Sequence, residues 1–143
     1  MTAGPIPTLA GDRDPRAEAV ITGGLAEFNK AVFGRVDSQT LDILVRDADT
    51  GEIAGGLLGH SSLGLLFIDL FYLPEHLRGA GIGSRIIALA EDEARRRGCT
   101  AAFVYTVTFQ APGFYERHGY RGFGEIACPP AGATRIFFSK ALD

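Results

Sequence analysis

The run Arg78-Gly79-Ala80-Gly81-Ile82-Gly83-Ser84 carries the chemistry most readily legible in this chain. An apolar stretch, Leu63 to Leu73, leads into it, and an amphipathic segment, Ile82 to Arg97, leads out. A glycine-rich turn between a strand and a helix lets several backbone N–H groups converge on one point. Together with the positive end of the helix dipole they form an anion site, usually for phosphate. Arg85 falls in the first helical turn, where a cation opposes the dipole, and Arg78 stands just outside; no Asp or Glu in that turn offsets them. A bound polyphosphate would supply the counter-charge. The alternative is an ordinary helix start with two solvated arginines.

Three glycine-rich phosphate patterns compete for this run. A P-loop ends in Gly-Lys-Ser/Thr, and no lysine occurs here. A dinucleotide fingerprint would use Gly79, Gly81 and, less well, Ser84. That motif belongs at the start of a doubly wound sheet with an acid ending the next strand, and the next strand here, Ala101 to Thr108, has none. The third pattern, Arg-x-x-Gly-x-Gly, is met by Arg78, Gly81 and Gly83. It resembles the acetyl-CoA pyrophosphate loop of the GNAT family of N-acetyltransferases.

The resemblance extends beyond the loop. Leu70-Phe71-Tyr72-Leu73-Pro74-Glu75-His76-Leu77-Arg78 looks like the family's central strand entering the loop. Thr108-Phe109-Gln110-Ala111-Pro112-Gly113-Phe114-Tyr115-Glu116-Arg117-His118-Gly119-Tyr120 looks like its second signature, a short helix bearing Phe-Tyr-Glu and ending in Gly-Tyr. The two stand in family order within roughly residues 52 to 140. The resemblance implies an α/β (α+β) fold in a single domain, residues 1–143. Its sheet would be mixed and mostly antiparallel, flanked by helices, with a splayed central strand pair. It also implies direct acetyl transfer from acetyl-CoA to a primary amine through a ternary complex, without a metal. The amine would belong to a small molecule, a protein lysine or a protein N-terminus.

Residue by residue, the resemblance gives backbone groups of Phe71, Tyr72 and Leu73 to the pantetheine arm, which pairs there like an added strand. The Leu73 N–H is the expected donor to the thioester oxygen. Arg78, Gly79, Ala80, Gly81, Ile82, Gly83 and Ser84 would take the pyrophosphate, with Phe114 packing near the pantetheine. Two departures stand out. Ala80 occupies a place often held by Lys or Gln, and Gln110 stands where the family often has an asparagine that holds the pantetheine.

Acyl transfer also needs a proton for the departing thiolate and a neutral amine. Tyr115 occupies the family's proton-donor position, and a phenol is reliably protonated at neutral pH. On its residues alone it reads rather as a packed core tyrosine with a satisfied hydroxyl, and Tyr120, after Gly119, reads as a packing aromatic. Asp69 is the first candidate base: a carboxylate expected to be buried in an apolar strand must be paired or functional. Otherwise it neutralises an arginine or ties down a loop. Glu125 is a second candidate, and water alone serves many family members. The histidines read as bystanders: His60 solvated at a hairpin tip, His76 in the lead-in to the loop, His118 in a last helical turn.

The elements that must position these groups follow from periodicity and punctuation. A short edge strand is expected around Ile6 to Ala10. Asp14 and Pro15 start a helix to about Phe33, with Ala17, Ile21, Leu25, Phe28 and Val32 on one stripe and a split at Gly23-Gly24. Strands are expected at Leu41 to Arg46, Ile53 to His60, Leu63 to Leu73 and Val104 to Thr108. The helix from Ile82 to Arg97 should bury Ile82, Ile86, Leu89 and Ala90 and stop at Gly98. A short helix, Ala111 to His118, precedes a hairpin of Tyr120 to Ala127 and Arg135 to Lys140.

Composition agrees with one ordinary globular domain: 143 residues, 46% hydrophobic and 22% charged. A net charge of −3 without a basic stretch argues against nucleic acid. Arg95 to Arg97 read as a last helical turn paired at i,i+4 with Glu91, Asp92 and Glu93. No signal peptide or membrane span is expected, nor a metal cage or disulfide framework from Cys99 and Cys128, so the cytoplasm is the expected compartment. A homodimer is the assembly left open. Two readings of function differ in class: an active N-acetyltransferase, favoured by Tyr115, and a non-catalytic acetyl-CoA-binding sensor or interaction module. A dinucleotide-dependent oxidoreductase is a distant third.

Overall fold

The computed structural model describes residues 4–35 and 37–143, and the chain divides into two compact units, Met1–Val36 and Asp37–Asp143. The first holds one helix, α1 (Pro15–Phe33). The Asp14 carboxylate accepts from the Arg16 N–H at 2.8 Å, and Pro15 opens the first turn. The helix runs unbroken through Gly23-Gly24, against the expected split. Two glycines cost about 1 kcal/mol each, whereas a break would require a second nucleation and expose two more helix ends. The edge strand expected around Ile6 to Ala10 is absent: residues 4–14 form no strand. Pro5 and Pro7 lack the N–H groups that strand pairing there would use.

The second unit is a six-stranded sheet in the order β1-β2-β3-β4-β6-β5. The strands are β1 (Gln39–Arg46), β2 (Ile53–Ser62), β3 (Leu65–Tyr72), β4 (Ala101–Val107), β5 (Arg121–Cys128) and β6 (Ala133–Ala141). Between β3 and β4 runs α2 (Ile82–Arg96), and between β4 and β5 the short α3 (Pro112–Arg117). The α2 crossover makes β3 and β4 the single parallel pair; the other neighbours are antiparallel. This is the mixed, mostly antiparallel architecture expected from the sequence.

The core lies between the sheet and α2. Ile86, Ile87, Ala90, Glu91 and Ala94 form the buried stripe of α2, against Leu41, Leu57, Leu66, Ile68, Val104 and Phe138. The stripe is turned from the expected one. Leu89 is 55% exposed, and Ile87 and Ala94 take the inner positions. The turn brings Glu91 inside, where the Tyr120 hydroxyl and Lys140 Nζ each lie 2.8 Å from its carboxylate. Two of the expected i,i+4 pairs form, Arg97 with Glu93 and Arg95 with Glu91, while Arg95 also bonds Asp92 and Arg96 pairs Glu93, both at i,i+3.

The sheet is interrupted where β3 leaves β4. Leu70 pairs with Leu58 and Ile68 with Gly59, so Asp69 is an extra residue with no partner on β2. Such a bulge reverses the alternation of a strand. Leu66 and Ile68 face the core before it, and Phe71 and Leu73 pack against the core after it. The bulge needs Gly59, because a Cβ there would lie 2.4 Å from the Phe67 carbonyl oxygen. Pairing of β3 with β4 ends at the same point, Ile68 with Val104. Beyond it the two strands separate.

Candidate active site

The separation opens a cleft of about 940 Å³. One wall is Asp69 to Leu73 of β3 and its extension; the other is Val104 to Val107 of β4. The glycine-rich loop closes one end, and Phe114, Tyr115 and His118 of the α3 region reach in from the side. Residues 69–72 have no partner strand on the β4 side, so peptide groups there face the cleft instead of a neighbour.

The loop fits a diphosphate. Gly79 and Gly81 adopt φ of 83° and 80°, a region glycine enters without strain, and no atom lies within 4 Å of where a Cβ would sit. Gly81 caps α2 with no side-chain bond, and the first turn of α2 has no acid, so its leading N–H groups stay available. Gly83 serves packing: a Cβ there would be 3.0 Å from Phe114 Cε2. Arg78 Nε donates to the Leu73 carbonyl at 2.9 Å, which fastens the loop to the end of β3. The charged residues lining the cleft are Arg78, Arg117 and Arg135 against Asp69 alone, a positive cleft in a chain of net charge −3.

Tyr115 is 7% exposed, and burial pushes its phenol up to about 12. Among the described residues its hydroxyl has no hydrogen-bond partner, yet it is not sealed off, since no buried polar side-chain atom there lacks one. Its ring packs edge-on to Phe114 at 5.3 Å and to Tyr120 at 5.8 Å. Phe114 in turn meets Phe71 at 5.5 Å, so the aromatic wall joins α3 to β3 behind the bulge.

Of the fourteen residues singled out from sequence, twelve line the cleft: Asp69, Phe71, Tyr72, Leu73, Arg78, Gly79, Gly81, Gly83, Ser84, Gln110, Phe114 and Tyr115. Ala80 and Ile82 do not. Ala80 is exposed outside the cleft, and Ile82 packs against the core. Glu125, on β5, lies outside the lining.

Two expectations need correction. Asp69 is not buried: its side chain is 49% exposed, because it is the bulge residue rather than an inner strand position. Its partner is His60, with Nδ1 at 2.8 Å, not an arginine. His60 is accordingly not a solvated hairpin-tip residue; it lies within β2 and stacks on Phe67 at 4.7 Å.

Sequence reasoning missed His118. Its Nδ1 lies 2.7 Å from the Phe114 carbonyl and its Nε2 2.9 Å from Ser84 Oγ. A contact across 34 residues leaves no periodic trace in a sequence. Gln110 is also more engaged than expected. Its side-chain oxygen accepts from Thr106 Oγ1 at 2.8 Å and from the Val107 N–H at 3.2 Å, capping the free end of β4.

A sheet splayed at a bulge, with a glycine-lined cradle at one end and a buried phenol at its side, is the frame of an acyl-CoA-using transferase. Residues 15–120 match the Acetyltransferase (GNAT) family. An acetyltransferase of Agrobacterium fabrum is 37% identical over 127 residues, 89% of this chain and 92% of that protein. The blasticidin-S acetyltransferase of Streptomyces morookaense is 47% identical over 95 residues, 66% of this chain and 70% of that protein. A crystal structure from Agrobacterium tumefaciens, assigned as an acetyltransferase, superposes with a TM-score of 0.84 at 36% identity, covering 94% of this chain and 97% of that one. The chain belongs to the GNAT family and is an N-acetyltransferase. No helix among the described residues is long and apolar enough to cross a membrane.

Proposed function

We propose that this enzyme, acting in the cytoplasm, transfers the acetyl group of acetyl-CoA directly to the primary amine of a small molecule, with Tyr115 as proton donor. The observation that carries this reading is the Tyr115 hydroxyl, held in an apolar wall yet unpartnered among the described residues, beside strands that have just separated. Acetyl-CoA supplies an activated acyl group as a thioester. The loop from Arg78 to Ser84 binds its diphosphate. Peptide groups of Phe71, Tyr72 and Leu73 on the side that β4 has left align the pantetheine arm along β3, the Leu73 carbonyl itself being held by Arg78, and the amide nitrogen of Gln110 is left to bond it. Phe71 and Phe114 keep water from the thioester end.

Tyr115 then holds a proton for the thiolate that leaves. A phenol shifted upward by burial stays protonated at any physiological pH, which suits a donor and rules it out as a base. Asp69, half-exposed in the cleft and oriented by His60, is placed to receive the ammonium form of an acceptor and pass its proton to water. Its negative charge stands alone among the arginines of the lining, so a cationic amine finds one electrostatic anchor there.

The relative that acts on blasticidin S makes that compound the first acceptor to try. CoA thiol release would be followed with blasticidin S, a panel of small cationic amines and lysine-containing peptides. Turnover with a small amine supports the reading. Saturable turnover confined to peptides would overturn the acceptor class while leaving the transferase in place.

A further inference from the structure

His118 stands where α3 ends, half-buried, lining the cleft, and joined to the first turn of α2. Its hydrogen bonds determine which atoms carry protons. The Phe114 carbonyl can only accept, so Nδ1, 2.7 Å away, carries a hydrogen. In the neutral ring Nε2 then has only a lone pair, and Ser84 Oγ, 2.9 Å away, must donate to it. The Ser84 hydroxyl therefore turns its proton toward the ring and its lone pairs toward the cradle. Ser84 is the third residue of α2, at the helix end that an anion approaches. An oxygen presenting lone pairs is poorly matched to a phosphate.

Two rearrangements remove the mismatch. The hydroxyl can swing to the phosphate, which strands Nε2 without a donor. Alternatively the ring takes a proton from solvent. Nε2–H then donates to Ser84 Oγ, the hydroxyl proton is released to the phosphate, and every polar atom keeps a partner. The second route also places a new positive charge beside the diphosphate, in a loop whose Ala80 offers none. Charged residues on the adjoining elements include Glu116 and Arg117 on α3, Arg78 in the loop, Arg85 and Glu91 on α2, with Asp92, Glu93, Arg95 and Arg96 further along it, and Arg135 and Lys140 on β6. Arg78 has its Nε on Leu73, and Lys140 is held by Glu91. The arginines are permanent cations, so the imidazole is the group there whose charge can change near neutrality.

We propose that His118 is a proton-linked binding residue of the diphosphate subsite: the diphosphate of CoA binds together with one proton, taken up on His118 and relayed through Ser84. This rests on the cleft being the acetyl-CoA site, as proposed above. The linkage joins the loop to α3, so occupancy of the cradle also tightens the segment that carries Tyr115.

The test uses 3′-dephospho-CoA, because the 3′-phosphate monoester of CoA itself titrates near pH 6 and the diphosphate does not. Calorimetry in two buffers of different ionisation enthalpy reads proton uptake directly. For the wild-type chain uptake is expected, with affinity rising toward pH 6 by at most about tenfold per pH unit. His118→Gln retains hydrogen-bonding capacity without titration, and should lose both the uptake and the slope. Wild-type binding with no uptake, or equal uptake in His118→Gln, overturns the proposal. Should the variant fold poorly, imidazole NMR of the wild-type chain gives the same answer: three histidines are present, and His118 must protonate on ligand addition. Failure of the wild-type chain to bind either CoA form would instead overturn the reading of the cleft itself.

Discussion

Tyr115 and Tyr120 sit five residues apart, their rings 5.8 Å from one another, in one buried pocket of the fold. Both are under a tenth exposed, and burial pushes both phenols up. They differ in what the hydroxyl meets. That of Tyr120 donates to Glu91 at 2.8 Å and is joined there by Lys140, a closed arrangement in which every atom is satisfied. That of Tyr115 faces the cleft without a partner among the described residues. Burial alone therefore does not separate the two tyrosines; the unfilled hydrogen bond does.

The largest expected effect follows from that difference. Tyr115→Phe removes the proposed proton donor and should lower turnover about 10²–10⁴-fold. Among the described residues the hydroxyl has no partner to strand, so the melting temperature and acetyl-CoA affinity should barely change. Steady-state kinetics beside a thermal melt with and without ligand decide the matter. Full turnover in the variant would return Tyr115 to the class of Tyr120.

Tyr120→Phe should do the reverse. It leaves a Glu91 oxygen, in a side chain 6% exposed, short of one donor, and an unsatisfied buried acceptor costs about 1–3 kcal/mol. Denaturant unfolding should register that loss, while turnover per folded molecule stays near wild type. Loss of turnover out of proportion to unfolding would mean that the Glu91 cluster positions α3 for catalysis as well as holding it.

Alkaline pH probes both phenols together. In the unfolded chain each ionises near 10; in the folded chain Tyr115 holds its proton to about 12, and Tyr120 is also raised, by burial and by the Glu91 carboxylate. The unfolded state therefore releases protons first. The stability is fully present below pH 10 and falls above it by about 1.4 kcal/mol per pH unit for each tyrosine, Tyr115's share being spent near pH 12. Tyr115→Phe should roughly halve this slope between pH 10 and 12. A slope unchanged by the substitution would show that Tyr115 ionises freely in the folded state.

What the sequence disclosed and concealed follows the same division. The loop was legible because its chemistry is local: glycines, arginines and a helix start lie within seven residues, and a backbone cradle needs no distant partner. The strands and the short helix were legible from alternation and punctuation. Glu91 was not, since its partners lie 29 and 49 residues away and its i,i+4 spacing to Arg95 gives it the look of a surface charge. Asp69 was noticed for its charge but misread as buried. A bulge is a property of two strands in register, and one strand alone cannot reveal it. The contact of His118 with Ser84 was hidden for the same reason.

The smallest expected effect tests whether the loop and Tyr115 are mechanically joined while Tyr120 stands apart. In Gly83→Ala the new methyl would lie 3.0 and 3.3 Å from Phe114 Cε2 and Cζ, so the ring must move by a few tenths of an ångström. Phe114 is packed against Phe71, Tyr115 and His118, and the displacement passes to the phenol of Tyr115 and to the wall of the cleft. The Glu91 cluster lies one contact further on, through the Tyr115–Tyr120 pair at 5.8 Å, and should feel less of it. Alanine is meanwhile the better helix former, by about 0.8–1.0 kcal/mol. Stability and function should therefore move in different directions: a melting temperature equal to wild type or slightly higher, with acetyl-CoA KM raised a few-fold and turnover modestly reduced. Parallel losses in both would mean that the Phe114 contact supports the whole core. Unchanged KM would mean that the ring yields without disturbing Tyr115, and that loop and proton donor are set independently.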